Sequence, residues 1–299
     1  MAKAKLLFLP APAAGHLSST LQVAKKILQA TNNNTVLLPK FPNSESSSSF
    51  SATSAVQSLA SSGLDVHFQE LPPVDPPLDA EYPEEFATLL FQKYKIHVQS
   101  AISASAVPVS ALFIDFFATA VIDAASELGI PTYVHFTSTA LMLSLMLYLP
   151  ILDEKIGEAE FEEIEEGIEL PGIRPIPPVS LPNPMWKKKG GNYASYVYHG
   201  RRFREAKGIV VNTFEELEPE QLRLLAEGRF VPDCSAPAVY PIGPLLSPND
   251  RTGSEQHACL KWLDKQPPAS VVFLCFGSMG SFDVAQVRIE QLCMSFAFL

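Results

Sequence analysis

The sequence predicts an α/β protein built on a doubly wound parallel sheet, and three observations carry that prediction. Short apolar runs alternate with segments of helical spacing through the first half of the chain, as in consecutive βαβ units. Two of the runs, Leu6–Leu9 and Ala111–Ile114, are fully apolar, as buried strands are. The composition, 47% hydrophobic and 18% charged over 299 residues, supplies enough apolar surface to offset chain entropy and excludes a disordered tail.

The elements follow in order. Leu6–Leu9 is the first strand; Pro10 and Pro12 cut its run too short for a signal-peptide core, despite Lys3 and Lys5 before it. Ser18–Ala30 carries Leu21, Val23, Ala24, Ile27 and Leu28 at mainly three- and four-residue spacing, which predicts a helix. Asn32–Asn34 turns into a second strand, Thr35–Leu38. Serine-rich Asn43–Ser54 reads as a loop or weak helix start, Val66–Phe68 as a short strand, and Leu71–Leu78 as a proline-rich connection. Glu84–Ile102 has helical spacing, and Ala111–Ile114 is a strand ending on Asp115. Thr119–Leu128 is a helix stopped by Gly129 and Pro131, and Thr132–Phe136 is the next strand. Thr139–Leu152 is apolar but broken by Ser144 and Pro150, short of the roughly 18 residues that span a bilayer, so it reads as a core helix.

From Asp153 to Asn192 the pattern gives way to an acidic run, proline-rich Pro171–Pro184 and Lys187–Lys189, a composition suited to exposed loops. A helix over Tyr193–Ala206, a strand at Gly208–Val211, a helix at Pro219–Leu225 and a strand at Val239–Ile242 complete the first domain. Its expected extent is 1–246, followed by a linker over 247–269 and the start of a second domain over 270–299, opening on a strand at Ser270–Phe276. About thirty residues cannot close a core of their own, so a C-terminally truncated chain is expected.

Charge excludes one class of function. Acidic residues outnumber basic ones 32 to 22, with nine carboxylates against one lysine between Asp153 and Glu169. A nucleic-acid binder shows a basic stripe instead. The acidic run and the triple lysine read as solvated faces. The four cysteines, Cys234, Cys259, Cys275 and Cys293, form no CxxC pair and read as scattered buried thiols in a reducing compartment. The expectation is a soluble, cytoplasmic protein without membrane insertion, metal or nucleic acid.

Two side chains stand where doubly wound sheets bind ligands, beyond the carboxyl ends of the strands. His16 lies in the loop Pro10–His16 after the first strand, and Asp115 ends a later one. On one sheet edge the carboxylate would hold one ring nitrogen and leave the other to take a proton. With no positioned serine or cysteine, the pair points to base catalysis on an outside nucleophile. The residues alone leave alternatives open: His16 as a cap or packed residue, Asp115 as the N-cap of the helix that follows. His67, His97, His135, His199 and His257 share no spacing and read as structural or surface residues. Gly277–Ser281 follows a strand and offers N–H groups and hydroxyls to an anion. The loop after strand one has only Gly15 and lacks the GxGxxG fingerprint, which argues against an NAD-dependent oxidoreductase.

Several strings together resemble the plant family-1 UDP-sugar-dependent glycosyltransferases, over residues 1 to about 287: Leu7–Pro10 with Gly15–Leu17, Phe113–Phe117 with Glu127–Pro131, and Phe136–Ser138 with Leu147–Pro150. Val211–Glu218, Tyr240–Leu245, and Trp262–Asp264 with Val271–Gly280 extend the match. The resemblance implies a GT-B architecture, with a Rossmann-like N-terminal acceptor domain and a C-terminal donor domain. It implies His16 as general base, Asp115 as its orienting partner, Thr137 near the sugar, and Ser278 and Gly280 at the diphosphate. Phe86, Phe117 and Leu141 are expected in the acceptor pocket, whose burial would favour a neutral, proton-accepting histidine. The implied co-substrate is a UDP-sugar, UDP-glucose first, and the implied acceptor a small phenolic or terpenoid metabolite such as a flavonoid. Neither cofactor nor metal is implied, and a monomer is expected. Members of the family continue beyond the point where this chain stops, so activity is expected to be weak or absent. The alternative reading is a catalytically inactive acceptor-binding or regulatory short form.

Overall fold

The computed structural model describes residues 5–11, 13–28, 34–40, 56, 57, 59–182, 185–189, 191–232, 236–246, 258–273, 283–286 and 288. The chain divides into two compact units, Met1–Leu246 and Ser247–Leu299. In the first unit the elements run β1 (Lys5–Leu9), α1 (Ala14–Leu28), β2 (Asn34–Leu38), β3 (Val66–Glu70), α2 (Pro83–Ser103) and β4 (Val109–Asp115). A 3-10 turn over Phe116–Val121 leads into α3 (Ile122–Glu127), β5 (Thr132–Phe136) and α4 (Ala140–Ile156). The short hairpin β6 (Ile168–Leu170) and β7 (Ile173–Ile176) precedes α5 (Gly191–Phe203), β8 (Gly208–Val211), α6 (Pro219–Ala226) and β9 (Ala238–Pro241).

Seven strands form one sheet in the order β3-β2-β1-β4-β5-β8-β9, and every pair is parallel. Chain direction across the sheet reverses between β1 and β4, the topological switch point at which doubly wound sheets place ligands. Successive strand side chains face opposite layers, so each strand feeds both. Leu7, Leu9, Leu112, Ile114, Val134, Phe136, Ile209 and Val211 belong to one core with the apolar residues of α2, α4, α5 and α6. Leu6, Phe8, Val36, Ala111, Phe113 and Val210 belong to the other, with Leu17, Leu21, Ala24 and Leu28 of α1.

The structure corrects the sequence reading at several places. Helix α4 runs through Pro150 to Ile156 instead of stopping at Leu152. Pro150 lacks the N–H that would bond Met146 O, and the helix is kept by what packs on it there: Gly200 of α5 lies against that carbonyl, and Arg204, just after α5, donates from Nη2 to the neighbouring Leu147 O at 2.8 Å. Lys188 is not a solvated lysine. Its side chain is 10% exposed, bonds Asp153 Oδ1 at 2.8 Å, and donates to the carbonyls of Asp153 and Gly157 at the end of α4, where a cation is favoured. The β6–β7 hairpin stood unseen inside the stretch read as loops, because strands of three and four residues are too short to show alternation.

In the second unit Ala258–Leu263 is a short helix, α7, within the expected linker. Residues 270–273 of the expected strand Ser270–Phe276 are not in a strand, and the remainder lies outside the described residues. Cys259 is exposed rather than buried, and the other three cysteines lie outside the described residues.

Candidate active site

The site is assembled at the switch point from β1 and β4. Asp115 is the last residue of β4 and is fully buried. Its Oδ1 accepts the Phe117 N–H at 3.0 Å, capping the 3-10 turn, while Oδ2 lies 2.8 Å from His16 Nδ1. Cap and partner, alternatives in the sequence, are therefore combined in one carboxylate. His16 sits in the first turn of α1 rather than in a loop, with its side chain 24% exposed. Because a carboxylate only accepts, Nδ1 carries the proton, and Nε2 presents a lone pair. The rings of Phe116 and Phe117 lie 5.4 and 5.5 Å from the imidazole, so the pair is walled by aromatic faces.

Burial of His16 alone would lower its pKa and keep it neutral, as expected from sequence. The negative charge of Asp115 and the hydrogen bond to it outweigh that desolvation and raise the pKa above its ordinary value. The expectation of an imidazole made neutral by burial is thus corrected: the carboxylate wins, which suits a group that must hold a proton once taken.

Two further histidines are buried and uncharged. His135, opposite Asp115 in the β4–β5 register, has its pKa pushed down by burial to about 4. His199 of α5 is pushed down by burial to about 3. Its Nε2 lies 2.9 Å from Thr88 Oγ1, which itself donates to Glu84 O, so the ring donates here and accepts at Nδ1 from Thr119, 2.7 Å away. Unfolding lets both rings titrate near 6.5, so the unfolded chain binds more protons below that pH and stability falls as pH drops. His16, with its raised pKa, has the opposite sign and gains stability as pH falls toward 6.5, so it offsets part of the loss, one ring against two. Each buried histidine then costs about 1.4 kcal/mol per pH unit once pH is well below 6.5. Urea unfolding at pH 7.5 and 5.5 should show the midpoint falling at the lower pH; an unchanged midpoint contradicts the assignment.

Of the other expected residues, Thr137 directly follows β5 on the same carboxyl edge of the sheet. Phe86 packs half-buried against the core from α2, and Leu141 is the second residue of α4. Ser278, Gly280 and the Gly277–Ser281 loop lie outside the described residues. The sequence did not mark Glu218, whose carboxylate accepts the N–H groups of Ala140 and Leu141 at 2.8 and 3.0 Å and the Thr213 hydroxyl at 2.6 Å. The string Val211–Glu218 is therefore a strap that fixes the start of α4, reinforced by Leu245 N–H on Asn212 Oδ1 at 3.0 Å. Among the described residues no group of three or more His, Cys, Asp or Glu is placed to hold a metal, and no helix is long and apolar enough to cross a membrane.

Fold and site define a Rossmann-like α/β domain with a histidine–carboxylate dyad at its switch point. No profile of an established protein family matches the sequence. A rice protein, malvidin galactosylase UGT88C3 of Oryza sativa subsp. japonica, is 39% identical over 291 residues, covering 96% of this chain and 60% of the relative. The structure of Medicago truncatula UGT71G1 complexed with UDP-glucose matches with a TM-score of 0.80 at 34% identity, over 98% of this chain and 64% of that one. Phytolacca americana UGT2, complexed with UDP-2-fluoro-glucose and pterostilbene, matches with a TM-score of 0.81 at 32% identity, over 96% and 62%. The relatives and solved structures it matches are plant UDP-glycosyltransferases, and the chain forms one Rossmann-like domain like that of those GT-B neighbours. It spans about 60% of the length of the curated relatives it matches.

Proposed function

We propose that this chain carries the acceptor-binding, base-bearing part of an inverting UDP-glycosyltransferase acting on small phenolic or terpenoid plant metabolites, with UDP-glucose as donor. The 2.8 Å bond between His16 Nδ1 and buried Asp115 at the switch point carries the reading. The acceptor hydroxyl gives its proton to His16 Nε2 while its oxygen attacks the anomeric carbon. The new C–O bond forms opposite the breaking bond to the diphosphate, UDP leaves with that electron pair, and configuration inverts. Asp115 stabilises the imidazolium so formed. The faces of Phe116 and Phe117 suit an aromatic acceptor, with Phe86 and Leu141 as further walls. Thr137, Ser278 and Gly280 are assigned to the sugar and diphosphate. No electrons are exchanged, so the reading calls for no redox cofactor; we assign no metal, and place the protein as a monomer in the cytoplasm. The malvidin-directed relative and the pterostilbene-bound neighbour support the choice of acceptor class.

Incubation with UDP-[14C]glucose and a flavonol panel tests the proposal: labelled glycoside from the parent chain, lost in His16→Ala, supports it. No product, together with saturable quenching of aromatic emission by the aglycones, would establish the inactive acceptor-binding form instead.

A further inference from the structure

His135 is a buried histidine that the proposed chemistry does not use, yet it stands beside the dyad. It is opposite Asp115 in the register of β4 and β5, so both side chains project toward the layer of α1. His16, Ser19 and Thr20 lie three and four residues apart on α1 and share one face of that helix. The His135 ring spans the lower part of that face, with Nε2 3.2 Å from Ser19 Oγ and Nδ1 3.1 Å from Thr20 Oγ1. One turn above, His16 meets Asp115. Two adjacent strand residues thus hold two adjacent turns of one helix. The upper bond is charged and the lower one neutral, since an imidazole with no proton to spare has one donor and one acceptor, matching two hydroxyls.

We propose that His135 is a positioning residue: by pinning Ser19 and Thr20 to β5 it fixes the rotation and height of α1, and so keeps His16 on Asp115. The inference rests on the reading of His16 as the base, although its test does not. The titratable groups that face His16 are Asp115 and His135 itself. If α1 is released, His16 loses its carboxylate while its burial persists, and its pKa falls.

The test follows the His16 ring by NMR across pH in the full chain, with the resonance assigned by its absence in His16→Gln. A downward shift of its titration midpoint is expected in His135→Phe and in the Ser19→Ala/Thr20→Val double variant. His135→Gln, which keeps a donor and an acceptor at this place, should retain most of the parent value. Folded variants titrating with the parent would overturn the proposal, and if His135→Phe fails to fold, the double variant decides. Glycosyl transfer persisting in His16→Ala would refute the catalytic reading while leaving this outcome unaltered.

Discussion

Replacing His16 with alanine is expected to lower acceptor glycosylation about 10²- to 10⁴-fold, the usual contribution of a positioned general base. On the proposed mechanism the loss belongs in kcat, because Nε2 accepts a proton only as the acceptor attacks, while the aromatic walls assigned to the acceptor are untouched. His16→Gln is the sharper comparison. It keeps a donor for buried Asp115 and so spares the fold the cost of an unpaired carboxylate, yet it has no basic nitrogen. Transfer rates measured at saturating acceptor should fall alike for both variants. Activity within tenfold of the parent would remove His16 from the mechanism.

The second large effect is on stability. Gly200 lies where α5 crosses α4, and a Cβ there overlaps the carbonyl oxygen of Met146 and comes within 3.2 Å of Pro150 Cδ. The obstacle is backbone, which cannot rotate away as a side chain would, so the helices must part. Gly200→Ala is expected to cost about 3 kcal/mol, the upper end for overpacking, although alanine favours an isolated helix. Urea unfolding reads this as a lower midpoint at unchanged slope. A variant as stable as the parent would show that α4 and α5 do not pack through Gly200. The contrast is informative because Pro150, not Gly200, is the residue that looks disruptive in the sequence.

The strands and most helices were legible because parallel sheets bury both faces, leaving runs such as Ala111–Ile114 and Gly208–Val211 bounded by turn residues. Asp115 was legible for the same reason, as a charge closing an apolar strand. What could not be read depends on contacts across the fold. That Pro150 stays inside a helix is decided by Gly200 and Arg204, some fifty residues away, and that Lys188 is paired is decided by Asp153. Glu218 looked like one acid among several in Phe214–Glu218, and only the position of Ala140 and Leu141 makes it a helix cap. The sign of the His16 shift was misjudged because burial is visible in a sequence pattern, whereas the 2.8 Å approach of a carboxylate is not.

The acid limb of kcat/KM for acceptor glycosylation, compared between the parent and Asp115→Asn, probes the dyad most directly, since it reports the ionisation of the free enzyme's base. On the proposed mechanism transfer requires neutral His16, so in the parent the limb should lie above pH 6.5, the ordinary histidine value. In Asp115→Asn the charge is gone and desolvation remains, so the limb should move to lower pH as the maximal rate drops. A limb that stays in place when the carboxylate is removed would mean that the ionising base is not the imidazole held by Asp115.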